Sequence, residues 1–180
     1  MPYCKFCQDL PEDNVHKYYH DFQYGFPLAT DNELFERLVL EINQAGLSWN
    51  TILVKKDNFF KAYDGFDIAT VASYPETERE RLLSDAGIIR NKLKVNAAIH
   101  NANVILELQK EHGSFKNWIE LNHPLTKEEW VKVFKKQFKF VGGEIVNEFL
   151  QSTGYLPTPH DKDCPVYVKV EEARKGMEIY

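Results

Sequence analysis

An all-α fold is predicted, and three observations predict it. Apolar residues recur at helical spacing through most of the chain. Two capping boxes of the form Thr-x-x-Glu stand at Thr30–Glu33 and Thr126–Glu129. Strand character is confined to one brief stretch, Val166 to Val170. With 180 residues, 43% of them apolar, the chain can bury one sizeable core, so residues 1–180 read as a single domain.

The elements follow in order. Tyr3 to Asp21 reads as irregular. Thr30 opens a helix at about Asp31 in which Leu34, Phe35, Leu38, Val39, Ile42 and Ala45 share one face, and Gly46 closes it. Glu41 lies three residues after Leu38 and four before Ala45, so it points into that apolar stripe. Asn50 to Tyr63 reads as a second helix and Asp67 to Ser73 as a short one. Pro75-Glu76 suits a helix start, Leu82 and Leu83 supply its apolar side, and Gly87 ends it. A long helix runs from about Asn91 to Glu111, with Leu93, Val95, Ala98, Ala102, Ile105 and Leu108 for packing. Phe115 to Leu121 is short, Thr126 leads a helix to Phe138, and Gly142-Gly143 precede a last helix to about Ser152. Trp118 and Trp130 sit in helical patterns without chemical neighbours and read as core. Leu156 to Pro165 is again irregular.

Charge and composition narrow the function. A net charge of −5 argues against a sequence-blind polyanion binder, but local basic segments remain: Arg90, Lys92 and Lys94, and Lys132, Lys135, Lys136 and Lys139. No apolar run is long enough to span a bilayer, and MPYCKFCQDLPED lacks the apolar segment of a secretory signal. The expectation is a soluble, cytoplasmic protein, with a monomer as the default. Its three cysteines suit thiol or metal chemistry better than a disulfide framework.

Six side chains with metal-ligating chemistry stand in the two irregular ends: Cys4, Cys7, His16, His20, His160 and Cys164. Thiolate with imidazole favours zinc over magnesium or calcium, and a tetrahedral site needs four donors. Spacing alone leaves several sets open; Cys4 and Cys7 with His160 and Cys164 would serve equally well. Any such site would tie one end of the chain to the other. The segment LLSDAGIIRNKLKVNAAI forms a helix, a short hairpin at Gly87 and a second helix. Amides at the second helix N-terminus, with Arg90 and Lys92, suit contact with a phosphate backbone.

In combination these segments resemble the DNA-3-methyladenine glycosylase I (Tag) family of the helix-hairpin-helix superfamily. LFERLVLEINQAGLSW resembles its core motif, YYHDFQYGFP its YHDxEWGxP motif, DAGIIRNKLKVNAAIHNA its helix-hairpin-helix, and KFVG and LPTPHDKDCP its C-terminal segments. The resemblance implies a helical glycosylase domain with the helix-hairpin-helix at about 76–111. It also implies a structural zinc joining the ends at about 3–21 and 156–165, held by Cys4, His20, His160 and Cys164. It implies hydrolysis of the N-glycosidic bond of 3-methyladenine in double-stranded alkylated DNA, with the free base as product. Glu41 becomes the carboxylate that recognises the flipped base, with Tyr19, Tyr24, Trp49, Phe6 and His16 around it; Gly87, Arg90 and Lys92 become DNA contacts. Phe6 and Tyr24 stand where the family usually has tryptophan, His16 where tyrosine is common, and Gln23 where glutamate is usual. The segment between Leu121 and Thr126 is shorter than usual. The second helix of the hairpin contains no Asp, unlike many helix-hairpin-helix glycosylases. A base methylated at N3 leaves as a neutral molecule, so strong acid catalysis is not required. The contrasting expectation is a zinc-stabilised DNA-binding module on the same scaffold that turns nothing over.

Overall fold

The computed structural model describes residues 3–177, and among these every regular element is helical. Two short helices, α1 (Tyr3–Gln8) and α2 (Val15–Phe22), precede the central α3 (Asp31–Gln44). Then come α4 (Trp49–Leu53), α5 (Lys56–Ala62), a 3₁₀ turn at Asp64–Phe66, α6 (Ile68–Ala72), α7 (Glu76–Ser84) and the long α8 (Lys92–His112). The chain ends with α9 (Phe115–Asn122), α10 (Lys127–Gln137), α11 (Gly143–Ser152) and α12 (Pro165–Arg174). No helix among the described residues is long and apolar enough to cross a membrane.

Both capping boxes form. Thr30 and Thr126 each accept from the backbone of the Glu three residues on, and that Glu reaches back to the cap. The start of α3 carries a further load. Asp31 accepts from the backbone N–H groups of Phe115 and Lys116 at 2.8 and 3.0 Å and so caps α9 as well. One apolar cluster runs from Leu34 to Met177, with Phe35, Phe66, Phe115, Phe134 and Phe149 at its centre. Trp118 and Trp130 are in it. Helix α3 is buried on nearly every side, from Leu34 through Asn43. The long α8 packs chiefly on α6, and α11 lies against both α10 and α3.

Three expectations are corrected. Val166 to Val170 is not a strand but the first half of α12, with Pro165 at its first position. Val166 and Val170 are one helical turn apart and both buried, while Val168 between them is exposed; tertiary packing overrides β-branched propensity here. Residues 3–21 are not irregular. They hold α1 and α2, whose six and eight residues are too few for periodicity to show. The helix expected over 50–63 is broken near Val54 and Lys55 into α4 and α5.

Candidate base pocket and Cys/His cluster

A cavity of about 350 Å³ opens where α1, α2, α3, α4 and α11 meet, lined by Tyr3, Tyr19, Tyr24, Glu41, Gln44, Trp49, Glu144 and Glu148. Glu41 reaches it from the third turn of α3. Gly46, at φ +80°, reverses the chain after that helix, a conformation that a Cβ would strain. Ser48 then caps α4 by accepting from the Thr51 amide, which brings Trp49 back over α3. Tyr19 stands on α2 and Tyr24 just beyond it; their rings lie 5.3 Å apart, and Tyr19 meets Trp49 edge-on at 5.2 Å. The Trp49 indole N–H is buried and has no hydrogen-bond partner among the described residues.

Glu41 is 4% exposed. Arg37, one turn earlier on α3, does not pair with it. Its guanidinium donates to the Tyr19 hydroxyl and the Ser152 carbonyl, both at 3.3 Å, and lies 5.1 Å over the Tyr19 ring. The arginine therefore braces the aromatic wall and leaves the carboxyl facing the cavity. Burial pushes the Glu41 carboxyl up to about 8; the nearby Glu148 charge adds to this, and Arg37 and the Ser152 hydroxyl oppose it. A carboxyl raised that far favours its protonated form near neutral pH.

Phe6 and His16 do not line the cavity. Tyr3 stands in front of them: its ring stacks on Phe6 at 6.2 Å and its hydroxyl lies 3.1 Å from His16 Nδ1. His16 also meets Asn50 Oδ1 at 3.1 Å. With Cys4 and Cys7 turned inward on α1, Phe6 is carried toward solvent and Tyr3 toward the pocket. Tyr3, Arg37, Gln44, Glu144 and Glu148 were not found from the sequence. Tyr3 sits in a helix too short to phase. Helix α11 has a readable apolar side, but nothing local says that its polar side faces α3.

The second cluster lies directly behind the pocket. One atom from each of Cys4, His20, His160 and Cys164 falls within 4.8 Å of all the others, and all four residues are buried. Cys164 Sγ is 3.6 Å from His20 Nε2 and 3.8 Å from His160 Nδ1; Cys4 Sγ is 3.7 Å from His160 Nδ1. The other ring nitrogens are held: His20 Nδ1 lies 2.6 Å from Asp21 Oδ1, and His160 Nε2 lies 2.8 Å from the Tyr24 carbonyl. These four could hold a metal ion. Cys7 and His16 stand outside the group: the Cys7 thiol donates to the His16 carbonyl at 3.7 Å. The Tyr24 carbonyl thus belongs to the cluster while its ring belongs to the pocket.

Between α7 and α8, residues 85–91 form a tight connection. Arg90 and Lys92 are exposed. The Gly87 amide is already taken by Asp85 Oδ1 at 2.7 Å, and Lys55 Nζ donates to the Ala86 and Gly87 carbonyls. Asn91 caps α8 by accepting from the Leu93 and Lys94 amides. Lys94 is not a surface charge. It is buried, and its ammonium donates to the Asn43 and Ala45 carbonyls at 2.7 Å each, capping the end of α3.

Comparison with known proteins agrees with this geometry. A family model described as methyladenine glycosylase matches residues 9–132. DNA-3-methyladenine glycosylase 1 of Escherichia coli (strain K12) is 34% identical, with 89% of this chain and 96% of that protein covered. The DNA-3-methyladenine glycosylase of Haemophilus influenzae (strain ATCC 51907 / DSM 11121 / KW20 / Rd) is 32% identical, with 88% and 96% covered. Among solved structures, 3-methyladenine DNA glycosylase I from Staphylococcus aureus superimposes with a TM-score of 0.78 at 30% identity, over 87% of this chain and 93% of that one. A variant of 3-methyladenine DNA glycosylase I in complex with 3-methyladenine gives 0.80 at 31% identity, over 93% and 98%. On this sequence and structural agreement over most of its length, the chain belongs to the methyladenine glycosylase family.

Proposed function

We propose that this protein excises 3-methyladenine from alkylated double-stranded DNA, hydrolysing the N-glycosidic bond and releasing the free base. The observation that carries the reading is a buried carboxyl, Glu41, facing a base-sized cavity among three tyrosines and a tryptophan. Such a pocket accommodates a base flipped out of the duplex. Adenine methylated at N3 is cationic, so the ring faces of Tyr19, Tyr24 and Trp49 attract it. Glu41 gives up its proton as the cation arrives and accepts a hydrogen bond from the base amino group. Neutral adenine brings no charge to displace that proton, which disfavours it. The Trp49 indole N–H offers one further donor for an acceptor on the base or on a bound water. The bonding electron pair leaves with the base, which departs neutral, and water completes the reaction at the sugar carbon.

The Cys4, His20, His160 and Cys164 group fits zinc. In a tetrahedron with bonds of about 2.3 Å to sulfur and about 2.0–2.1 Å to nitrogen, the sulfur–nitrogen edges are about 3.6 Å; the observed 3.6, 3.7 and 3.8 Å match. Four protein donors close the coordination sphere, so the metal would be structural: it would hold Tyr24 and α2 in place and leave hydrolysis to the pocket. The α7–α8 pair reads as a helix-hairpin-helix, with DNA backbone contact falling on the exposed Arg90 and Lys92. Because the Gly87 amide is occupied, Gly87 shapes the turn and leaves phosphate contact to these side chains. The working unit is a cytoplasmic monomer.

The test is release of free 3-methyladenine from methylated duplex DNA by wild type and Glu41→Gln side by side. Wild type should release the base, and the variant about 10- to 100-fold more slowly, the worth of one charge-assisted hydrogen bond. Binding of such DNA by wild type without release of base would replace the glycosylase with the non-catalytic DNA-binding module.

A further inference from the structure

The cavity holds a second half-buried carboxylate for which base recognition by Glu41 leaves no task. Glu148 lines it from α11 while Glu41 lines it from α3. The Tyr24 hydroxyl donates to Glu148 Oε2 at 3.4 Å, which ties this carboxylate to the aromatic wall. No lysine or arginine among the described residues pairs with it; Lys127 pairs instead with Glu144, at 3.1 Å, one turn earlier on α11. A second cavity of about 400 Å³ is also lined by both Glu41 and Glu148.

We propose that Glu148 is a specificity-determining residue, a second anionic wall that, with Glu41, selects a positively charged base over its neutral counterpart. The inference rests on the glycosylase reading above and deepens it. Two carboxyl groups share one small space, and burial raises both above the ordinary range, so negative charge there is costly. Glu148 adds to the effect at Glu41, where Arg37 and Ser152 oppose it, and Glu144 adds to that at Glu148, where Tyr24, Asn147 and Lys127 oppose it. A neutral purine relieves none of this. A cationic purine relieves it at both groups, so the preference for charge exceeds what one carboxylate supplies. Cleavage sends the C1′–N9 bonding pair onto the base, and the attraction fades as the base becomes neutral, which favours its departure.

Calorimetric titration of the full-length protein at about pH 7.5 separates charge from shape. The probes are 3,9-dimethyladeninium, a fixed cation whose N9 methyl stands for the sugar, and 3-methyladenine, its neutral relative. Glu148→Gln keeps an oxygen acceptor for Tyr24 and removes the charge. Cation affinity should fall about tenfold and neutral-base affinity by less than about twofold. Glu148→Asp should restore the preference, and Glu148→Ser repeats the charge removal should the glutamine variant fold poorly. Equal losses for both probes, or no loss for the cation, overturn the inference while wild-type base release keeps the glycosylase reading standing. If wild type releases no base from methylated DNA, that reading fails and the inference falls with it.

Discussion

At the scale of the residue, Glu41 combines two demands that pull in opposite directions. Recognition of a cation wants a negative charge, while burial makes that charge costly. On the proposed reading, a carboxyl raised from 4.5 to about 8 would satisfy both, giving up its proton when the cationic base replaces that charge. This has a consequence for stability. The folded carboxyl titrates above the unfolded one, so its contribution is fully present below about pH 4.5 and is lost as pH rises through about 8. The groups facing it are Arg37 and Ser152, which favour the ion, and Glu148, which opposes it, beside the hydroxyls of Tyr19 and Tyr24. Glu41→Gln cannot ionise and should escape the loss. Its melting temperature should equal that of wild type at about pH 4.5 and exceed it by about 8–16 °C at about pH 8.5, the shift for ~4 kcal/mol in a chain of this size. A difference independent of pH would mean that Glu41 is already ionised in the folded protein.

At the scale of the element, the connection between α7 and α8 has most of its polar backbone groups already engaged, which bears on the DNA contact proposed for it. Its carbonyls are held by Lys55, its Gly87 amide by Asp85 and the first α8 amides by Asn91. What remains outward are the charges of Arg90 and Lys92. Changing both to Ala should weaken binding to undamaged duplex about tenfold at low salt. It should also reduce the slope of log affinity against log salt by about 1–2, since each phosphate contact contributes about 0.9. Fluorescence anisotropy over a salt series measures both, and an unchanged slope would move the DNA interface elsewhere, to Lys132, Lys135, Lys136 and Lys139 on or beside α10. Lys94 belongs to a different task. By capping the end of α3 it joins the first turn of α8 to the helix that carries Glu41.

At the scale of the whole molecule, the Cys/His group joins residues near the two ends of the chain, and His160 hydrogen-bonds the backbone of a pocket residue, Tyr24. Zinc bound there would contribute folding energy directly and would fix the wall against which the base stacks. Wild type should contain about one zinc per chain. Cys164→Ser should hold well below that and melt about 10 °C or more lower, with Cys7 unable to compensate because its thiol faces His16 and not the cluster. Metal analysis and thermal melts check this; one equivalent in both proteins would rule out the ligand set.

The sequence by itself determined the helical class, most helix positions from α3 to α11, both capping boxes and the burial of Glu41, because these depend on residues within one or two turns of one another. The family motifs added the expected pocket and metal side chains, and the four named metal candidates do converge. Only the tertiary structure decided that Tyr3 and not Phe6 or His16 borders the cavity, that Arg37 braces Tyr19 and does not pair with Glu41, and that Glu148 enters from α11. Each of these depends on the relative rotation and packing of helices far apart in the chain, which local periodicity does not specify. The strand expected at Val166 to Val170 failed for the same reason: a three-valine alternation describes local preference, and the helix there is set by Pro165 at its start and by burial of Val166 and Val170 against the Cys4–Cys164 end of the fold.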